Sequence, residues 1–182
     1  MFKVLEEGKK PIIKTKFSAG ADLCSSEDVT IRPGETKIIP LGVMLDQEAI
    51  KEAFIKDLIA KNDKPTLPKL TEKDIEREVA EFEKSVFFEL NIRSSTSLNL
   101  IIRNGTGQID YDYNKAIGLI IYNPLTLKEG TNEIDFDNTV HIKKGEAVAQ
   151  VKPMRHLNYL AGDEYRLNHT RDGGYGSTNI KE

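Results

Sequence analysis

The chain has 182 residues and a mass of 20.5 kDa, which suits a single domain. Its 38% hydrophobic residues suffice for a core, and a formal charge of -3 excludes nucleic-acid binding through a general basic field. No apolar run approaches the roughly 20 residues of a membrane helix. Acidic residues interrupt the apolar stretch of residues 1–7, which therefore does not resemble a secretory signal, and one cysteine excludes an internal disulfide framework. We therefore expect a globular, cytoplasmic protein with neither nucleic acid nor membrane as a partner.

The first 46 residues carry β-strand patterns. Short apolar or β-branched runs are separated by a turn signal at residues 32–35. The predicted strands are residues 11–13, 29–31, 36–40 and 41–45.

The segment 47–85 carries helix patterns instead. Asp46 is a predicted N-cap for a helix to about Lys61, and Thr71 is one for a second helix to about Lys84. Two prolines between them end the first helix. Apolar residues recur at helical spacing in both, at Ile50, Ala53, Phe54, Leu58 and Ile59, and at Ile75, Val79 and Phe82. The segment is predicted to be an inserted helical hairpin with a mostly solvated charged face.

From Val86 the β pattern returns, and Gly and Asn turns separate short alternating runs at residues 87–92, 98–102, 117–122 and 139–142. Many short strands at this spacing predict a mainly β fold, a barrel or jelly roll. The segment 168–182 is predicted to be a flexible tail, so residues 1–182 form one domain with an insertion and a tail.

Two stretches in the β regions have residue types that suit a binding site. Residues 18–23 present one carboxylate, Asp22, on a small-residue turn, although an ordinary turn with a capping Asp explains this stretch better when it is taken alone. Residues 93–97 place Arg93 before four hydroxyl side chains, which suits an anion cradle because the hydroxyls donate to phosphate oxygens while Arg supplies charge. A polar strand end is the alternative.

Two further stretches combine turns with carboxylates or glycines. Asp110 and Asp112 lie two residues apart and therefore face the same side of a strand, where a carboxylate can take a proton from water or position a hydrated metal. The alternative is an exposed hairpin with solvated acids. The glycines of residues 170–178 permit close approach to phosphate, and their alternative is a disordered tail.

Taken in order, five stretches resemble the ordered motifs of the trimeric dUTPase family, the deoxyuridine triphosphate nucleotidohydrolases. They are residues 19–23, 93–95, 107–113, 145–150 and 173–178. The resemblance covers nearly the whole chain except the segment 47–85. It implies a dUTPase-like jelly-roll subunit, a homotrimer with sites shared between subunits, and Mg²⁺-assisted hydrolysis of dUTP to dUMP and pyrophosphate. That reaction limits uracil in DNA and supplies dUMP for dTMP synthesis.

The resemblance also implies roles for individual residues. Asp110 would activate the water that attacks the α-phosphorus, and Asp22 would support the metal through water. Tyr113 would pack under the deoxyribose, the hairpin before it would read uracil through backbone groups, and Tyr175 would stack on the base. The residues implied in substrate binding are Arg93, Ser94, Ser95, Gly107, Ile109, Tyr113, Gln150, Arg171, Tyr175, Gly176, Ser177 and Thr178.

The sequence departs from the family pattern in several places. Residues 114–116 replace a Gly-containing turn, Ala147 stands where Arg is usual, and Arg171 is one place off the usual tail arginine. In addition, Tyr175 replaces the commoner Phe and Asn179 the closing Gly.

Two other functions are weighed against dUTP hydrolysis. A dCTP deaminase carries a Glu three residues before the Asn that matches Asn123, and Ile120 at that position lacks the proton-transfer group. A dUTPase-like regulatory protein would instead bind a protein partner through the segment 47–85, because exposed amphipathic helices often form partner surfaces.

Overall fold

The structure is a computed structural model that describes residues 1–96, 100–103 and 105–156. Two helices interrupt the strands, α1 over Gln47–Asn62 and α2 over Glu72–Ser85. The strands are β1 Phe2–Val4, β2 Ala21–Cys24, β3 Val29–Ile31, β4 Thr36–Pro40, β5 Val43–Leu45, β6 Val86–Ile92, β7 Ile101–Ile102, β8 Gly107–Asp110, β9 Gly118–Tyr122, β10 Val140–Ile142 and β11 Ala147–Arg155. A short 3-10 helix spans Phe136–Asn138.

The described strands pair antiparallel. The largest sheet has the strand order β2-β11-β6-β8, and a second sheet has the order β4-β9-β7, while β1 pairs with β5 and β3 with β10. Pairing between strands far apart in sequence makes this a jelly-roll-like arrangement. The predicted mainly β, jelly-roll-like fold is confirmed.

Alternation along the strands builds the core between the sheets. In β6, Phe88 and Leu90 are buried while Phe87 and Glu89 face outwards. In β9, Leu119 and Ile121 are buried in the same way. The outer face of the largest sheet is consequently polar, and it carries the candidate site residues described below.

Both helices begin at the predicted N-caps. The Asp46 side chain accepts a hydrogen bond from the backbone N–H of Ala49, and Thr71 forms a capping box with Asp74. The helix α2 ends at Ser85 and β6 begins at the next residue, so no loop separates them. That the segment is an insertion relative to the family stays a prediction.

Two predicted strands differ in the structure. Residues 41–45 do not form one strand, because Gly42 adopts a left-handed φ of 60° that breaks the extended backbone before β5. In residues 11–13 only Ile12 pairs, through an isolated bridge to Asp22, and Ile13 is 63% exposed. Within the described ranges, no helix has the length and apolar character to cross a membrane.

Candidate functional site

Asp22 lies at the centre of a polar cluster on the outer face of the largest sheet. Its position in β2 pairs with Gln150 in β11, whose side-chain N–H donates to Asp22 Oδ1 over 2.9 Å. The Lys14 ammonium lies 3.1 Å from Asp22 Oδ2, and Arg93 Nε lies 3.4 Å from Oδ1. The Asp22 side chain is only 4% exposed, so the cluster brings the first, second and fourth motifs together around one buried carboxylate.

These contacts set the protonation state of Asp22. Burial alone would raise the pKa of this carboxyl, but the hydrogen bond from Gln150 and the two nearby cations outweigh burial and hold the pKa below its usual value. Asp22 is therefore ionised in the folded protein at neutral pH.

We expect Asp22→Asn to lower the free energy of unfolding by about 2 kcal/mol near neutral pH, because charge-assisted hydrogen bonds are lost. Since the folded-state pKa is depressed, the contribution of Asp22 is fully present above its unfolded pKa of about 4 and is lost as the pH falls through the folded pKa. Urea unfolding across this range measures the difference, with the exposed Asp137→Asn as control. A deficit of equal size at acidic and neutral pH would contradict the role of the charge.

Arg93 begins a tight turn that joins the end of β6 to the cluster. The backbone N–H of Thr96 donates to Arg93 O over 3.0 Å, and the Arg93 backbone N–H donates to Val148 O over 3.0 Å. The guanidinium also donates to Ala147 O over 3.1 Å. Arg93 thus holds the turn against β11, and the turn leaves Ser94 and Ser95 exposed.

Asp110 ends β8, which is the edge strand of the same sheet. Gln108 and Asp110 are exposed, and Ile109 between them is buried. The backbone N–H of Tyr113 donates to Asp110 O over 3.0 Å, which closes a turn directly after the strand. The exposed side chain of Asp110 therefore lies at the end of an ordered strand.

The other predicted residues of this hairpin turn their side chains inward. Ile109 and Tyr113 belong to the hydrophobic core, and the Tyr113 hydroxyl donates to Ala116 O over 3.3 Å. A Cβ at Gly107 would lie 3.3 Å from Leu90 Cβ, so a larger residue at this position would require β6 to shift by a few tenths of an ångström. Because β8 lies at the sheet edge, one side of its backbone faces away from β6.

Within one chain, Asp110 lies far from the Asp22 cluster. Asp110 pairs with Phe87 near the start of β6, whereas Arg93 follows the end of that strand. Six residues separate Phe87 from Arg93, which corresponds to about 20 Å along a strand. The predicted base and the predicted phosphate-binding residues of one chain therefore do not form one site.

Asp110 instead borders a groove of about 790 Å³ between α2 and the sheet. Its lining includes Glu83 and Lys84 from α2, Asp110 and Asp112 from the third motif, and His156. The sequence did not place α2 in this groove, nor Lys14 at Asp22. The four lysines within residues 9–16 are a sequence signal for a cation near Asp22. No local signal in the sequence indicates that α2 lines the groove.

The remaining predicted features stand as follows. The described residues do not include the predicted tail 168–182, which contains the predicted site residues Arg171, Tyr175, Gly176, Ser177 and Thr178. Among the described residues, no group of three or more His, Cys, Asp or Glu side chains is arranged to hold a metal ion.

Known proteins are similar to this chain over nearly its whole length. No protein-family model matches the chain. The deoxyuridine 5'-triphosphate nucleotidohydrolase of Nautilia profundicola is 27% identical over 182 residues, with 97% of this chain and 94% of that protein covered.

Solved structures of two phage dUTPases are similar in fold. The dUTPase from phage phi11 of S. aureus, which has a species-specific insert, gives a TM-score of 0.57 at 20% identity, with 97% of each chain covered. A mutant of the phi11 enzyme coordinates a structural Mg(II) ion. A mutant of the Staphylococcus bacteriophage 80alpha dUTPase, solved with dUpNHpp, gives a TM-score of 0.58 at 19% identity, with 99% of this chain and 98% of that chain covered. The solved structures show the same fold, and the curated relatives, of which the Nautilia profundicola enzyme is one, confirm the predicted resemblance to dUTPases and the enzyme class that it implies.

Proposed function

We propose that this chain hydrolyses dUTP to dUMP and pyrophosphate. The observation that carries the proposal is the position of Asp110, an exposed carboxylate on an ordered strand end at the border of a groove large enough for a nucleotide. The whole-chain similarity to the Nautilia profundicola enzyme supports the same substrate. Limiting uracil in DNA and supplying dUMP for dTMP synthesis would be the cellular role.

The active unit in this proposal is a homotrimer whose sites lie between subunits. Support comes from the separation of about 20 Å, estimated along β6, between Asp110 and the turn at Arg93. A nucleotide that meets Asp110 of one subunit would meet Ser94, Ser95 and Gln150 of another. The Asp22 cluster holds the last of these side chains in place through the hydrogen bond from Gln150 to Asp22.

The chemical step is an in-line attack of water on the α-phosphorus. Asp110 accepts a proton from the water, the water oxygen forms a bond to the α-phosphorus, and the bond to the bridging oxygen of the leaving pyrophosphate breaks. The backbone of the β8 hairpin reads uracil, and the side chain of Tyr113, fixed in the core, shapes the floor under the deoxyribose. The tail residues Arg171, Tyr175, Gly176, Ser177 and Thr178 complete the site over the base and phosphates.

Mg²⁺ is the proposed cofactor, as in the phi11 relative that coordinates Mg(II). Both Asp22 oxygens already contact Gln150 or a cation, so Asp22 does not fit a direct metal ligand. A hydrated ion held mainly by the triphosphate needs no all-protein cage, and it supplies charge neutralisation and alignment of the phosphates. No step above depends on a protein-held ion.

A pyrophosphate-release assay with dUTP, dCTP, dTTP and UTP tests the proposed function. We expect release from dUTP to exceed release from the other three. The base of dCTP presents a different donor and acceptor pattern to the backbone groups that read uracil, whereas dTTP and UTP carry an added 5-methyl or 2′-hydroxyl group that a closely packed site excludes. Release from dCTP together with deamination would indicate a deaminase instead. No release from any nucleotide would refute hydrolysis.

Two observations bear on the alternative functions. Asn123, which marks the position of the missing deaminase Glu, is buried and its side chain donates to Ile31 O and Asn138 O, as a structural residue does. The regulatory-protein hypothesis has a parallel in the phage dUTPases that control transfer of virulence genes, 80alpha among them. In this chain, however, the aromatic residues of the two helices pack inward, so a partner at this segment stays a prediction. A cytoplasmic location also stays a prediction.

A further inference from the structure

The helical segment packs on the third motif rather than standing apart from it. Phe54 of α1 stacks on Phe82 of α2 with ring centroids 4.1 Å apart and 12° between the planes. The Phe82 ring then meets the Tyr111 ring edge-on at 6.2 Å and 76°. The apolar contact between the two helices is therefore continued onto the residue that follows Asp110.

Polar contacts fix the same tyrosine from both helices. The Gln47 side-chain N–H donates to Tyr111 O over 3.0 Å, and the Tyr111 hydroxyl lies 3.2 Å from Gln47 O and 3.4 Å from Glu83 Oε1. Gln47 thus binds both the backbone and the side chain of Tyr111. We name Gln47, Phe82 and Glu83 the Tyr111 clamp.

The charge state of Tyr111 suits this arrangement. Burial, and then the negative charge of Glu83, raise the pKa of the Tyr111 phenol to about 12. The phenol therefore stays protonated near neutral pH and remains a hydrogen-bond donor to the clamp.

The clamp acts on the turn that directly follows β8 and carries Asp110. Asp110 is fixed on one side by its pairing with Phe87 and on the other by the turn to Tyr113. Because α2 runs directly into β6, the strand that pairs with β8, a shift of α2 would move both the strand partner and the clamp. Tyr111 lies inside the turn that carries Asp110, which makes it the point where the helices act on the turn.

We propose that Gln47 and Glu83 are positioning residues that set the place of Asp110 through Tyr111, so that the helical segment is an integral part of the catalytic machinery. This inference rests on the proposed dUTP hydrolysis. It assigns the helices a role distinct from a passive flap, because their polar contacts converge on the residue adjacent to the base.

Steady-state kinetics of Tyr111→Phe test the inference, since this variant keeps the ring and removes the clamped hydroxyl. We expect kcat for dUTP to fall by about 10-fold or more, because small misplacements of a catalytic group cost up to about 100-fold. We expect KM to change by less than about threefold, because the variant removes only a hydroxyl whose contacts are with Gln47 O and Glu83 Oε1. Tyr122→Phe, in β9 on the other sheet, is the matched control and should leave both constants unchanged.

Substitutions of the partner residue separate positioning from general destabilisation. Glu83→Ala should lower kcat in the same way, whereas Glu83→Gln keeps an acceptor oxygen and should restore most of it. Equal losses in Glu83→Ala and Glu83→Gln would contradict the proposed hydrogen bond. A fall in kcat that simply follows the melting temperature across all variants would also contradict the positioning role.

Hydrogen exchange of the full-length chain distinguishes failure of this inference from failure of the proposed function. In Tyr111→Phe, residues 107–113 should exchange faster than in the wild type, whether or not the protein hydrolyses dUTP. If the wild type hydrolyses dUTP but kcat and exchange are both unchanged in the variant, the clamp has no positioning role. If the wild type hydrolyses no nucleotide, the proposed function fails, and unchanged exchange would then overturn the clamp as well.

Discussion

Asp110→Asn should reduce kcat for dUTP by about 100- to 10,000-fold while leaving nucleotide affinity nearly unchanged, which is the range that a general base contributes. An amide in place of the carboxylate has nearly the same size but cannot accept the proton of the attacking water. The strand end should survive the change, because Asp110 is exposed and its backbone is fixed by pairing with Phe87 and by the turn to Tyr113.

Two comparisons make this result specific to Asp110. Asp112→Asn changes the neighbouring exposed carboxylate in the same groove, and it should reduce kcat much less if Asp110 is the base. Asp137→Asn, in the 3-10 helix, controls for the loss of one exposed charge. Affinity is measured with a non-hydrolysable dUTP analogue. Near wild-type kcat in Asp110→Asn, or a larger loss in Asp112→Asn, would show that Asp110 is not the base.

Local patterns in the sequence predict the elements of this chain well. Asp46 and Thr71 cap helices where the sequence predicts them, since the capping residues and the first turn are adjacent in the chain. The alternation in residues 87–92 likewise predicts which face of β6 is buried. These features depend on neighbours a few residues away, and such neighbours are visible in a single sequence.

Contacts between distant segments are what the sequence does not predict. Gln47 and Tyr111 are 64 residues apart, and nothing in either neighbourhood indicates that their side chains meet. The ion pair of Lys14 with Asp22 is only partly predictable, because the lysines of residues 9–16 indicate a cation nearby but the predicted strand at 11–13 ends before Lys14 and does not fix the direction of its side chain. Sequence motifs therefore predict the candidate site residues. The strand register then shows that, within one chain, Asp110 lies far from the phosphate-binding residues.

That separation predicts that two inactive variants complement each other. One variant is Asp110→Asn, and the other combines Ser94→Ala with Gln150→Ala at the opposite end of the sheet. When a site takes Asp110 from one subunit and the phosphate-binding side chains from a neighbour, a hybrid trimer contains some sites in which both are intact. In a cyclic trimer that contains both variants, one site of the three combines an intact Asp110 with an intact phosphate side. Purified hybrids should therefore reach about a third of the wild-type activity, and an unsorted equal mixture about a quarter.

The experiment requires subunits that exchange, so the two variants are co-expressed with different tags and the hybrids are purified through both tags. Each variant alone should show only residual activity, and a chain that carries all three substitutions, mixed with the Asp110→Asn chain, should give none of the gain. In neither variant does one chain carry both an intact Asp110 and intact phosphate-binding residues. A site contained within one chain therefore gives no complementation. Verified hybrids whose activity stays at the residual level of the single variants would therefore place the whole site in one chain, and a chain movement of about 20 Å would then be needed to bring Asp110 to the Arg93 turn.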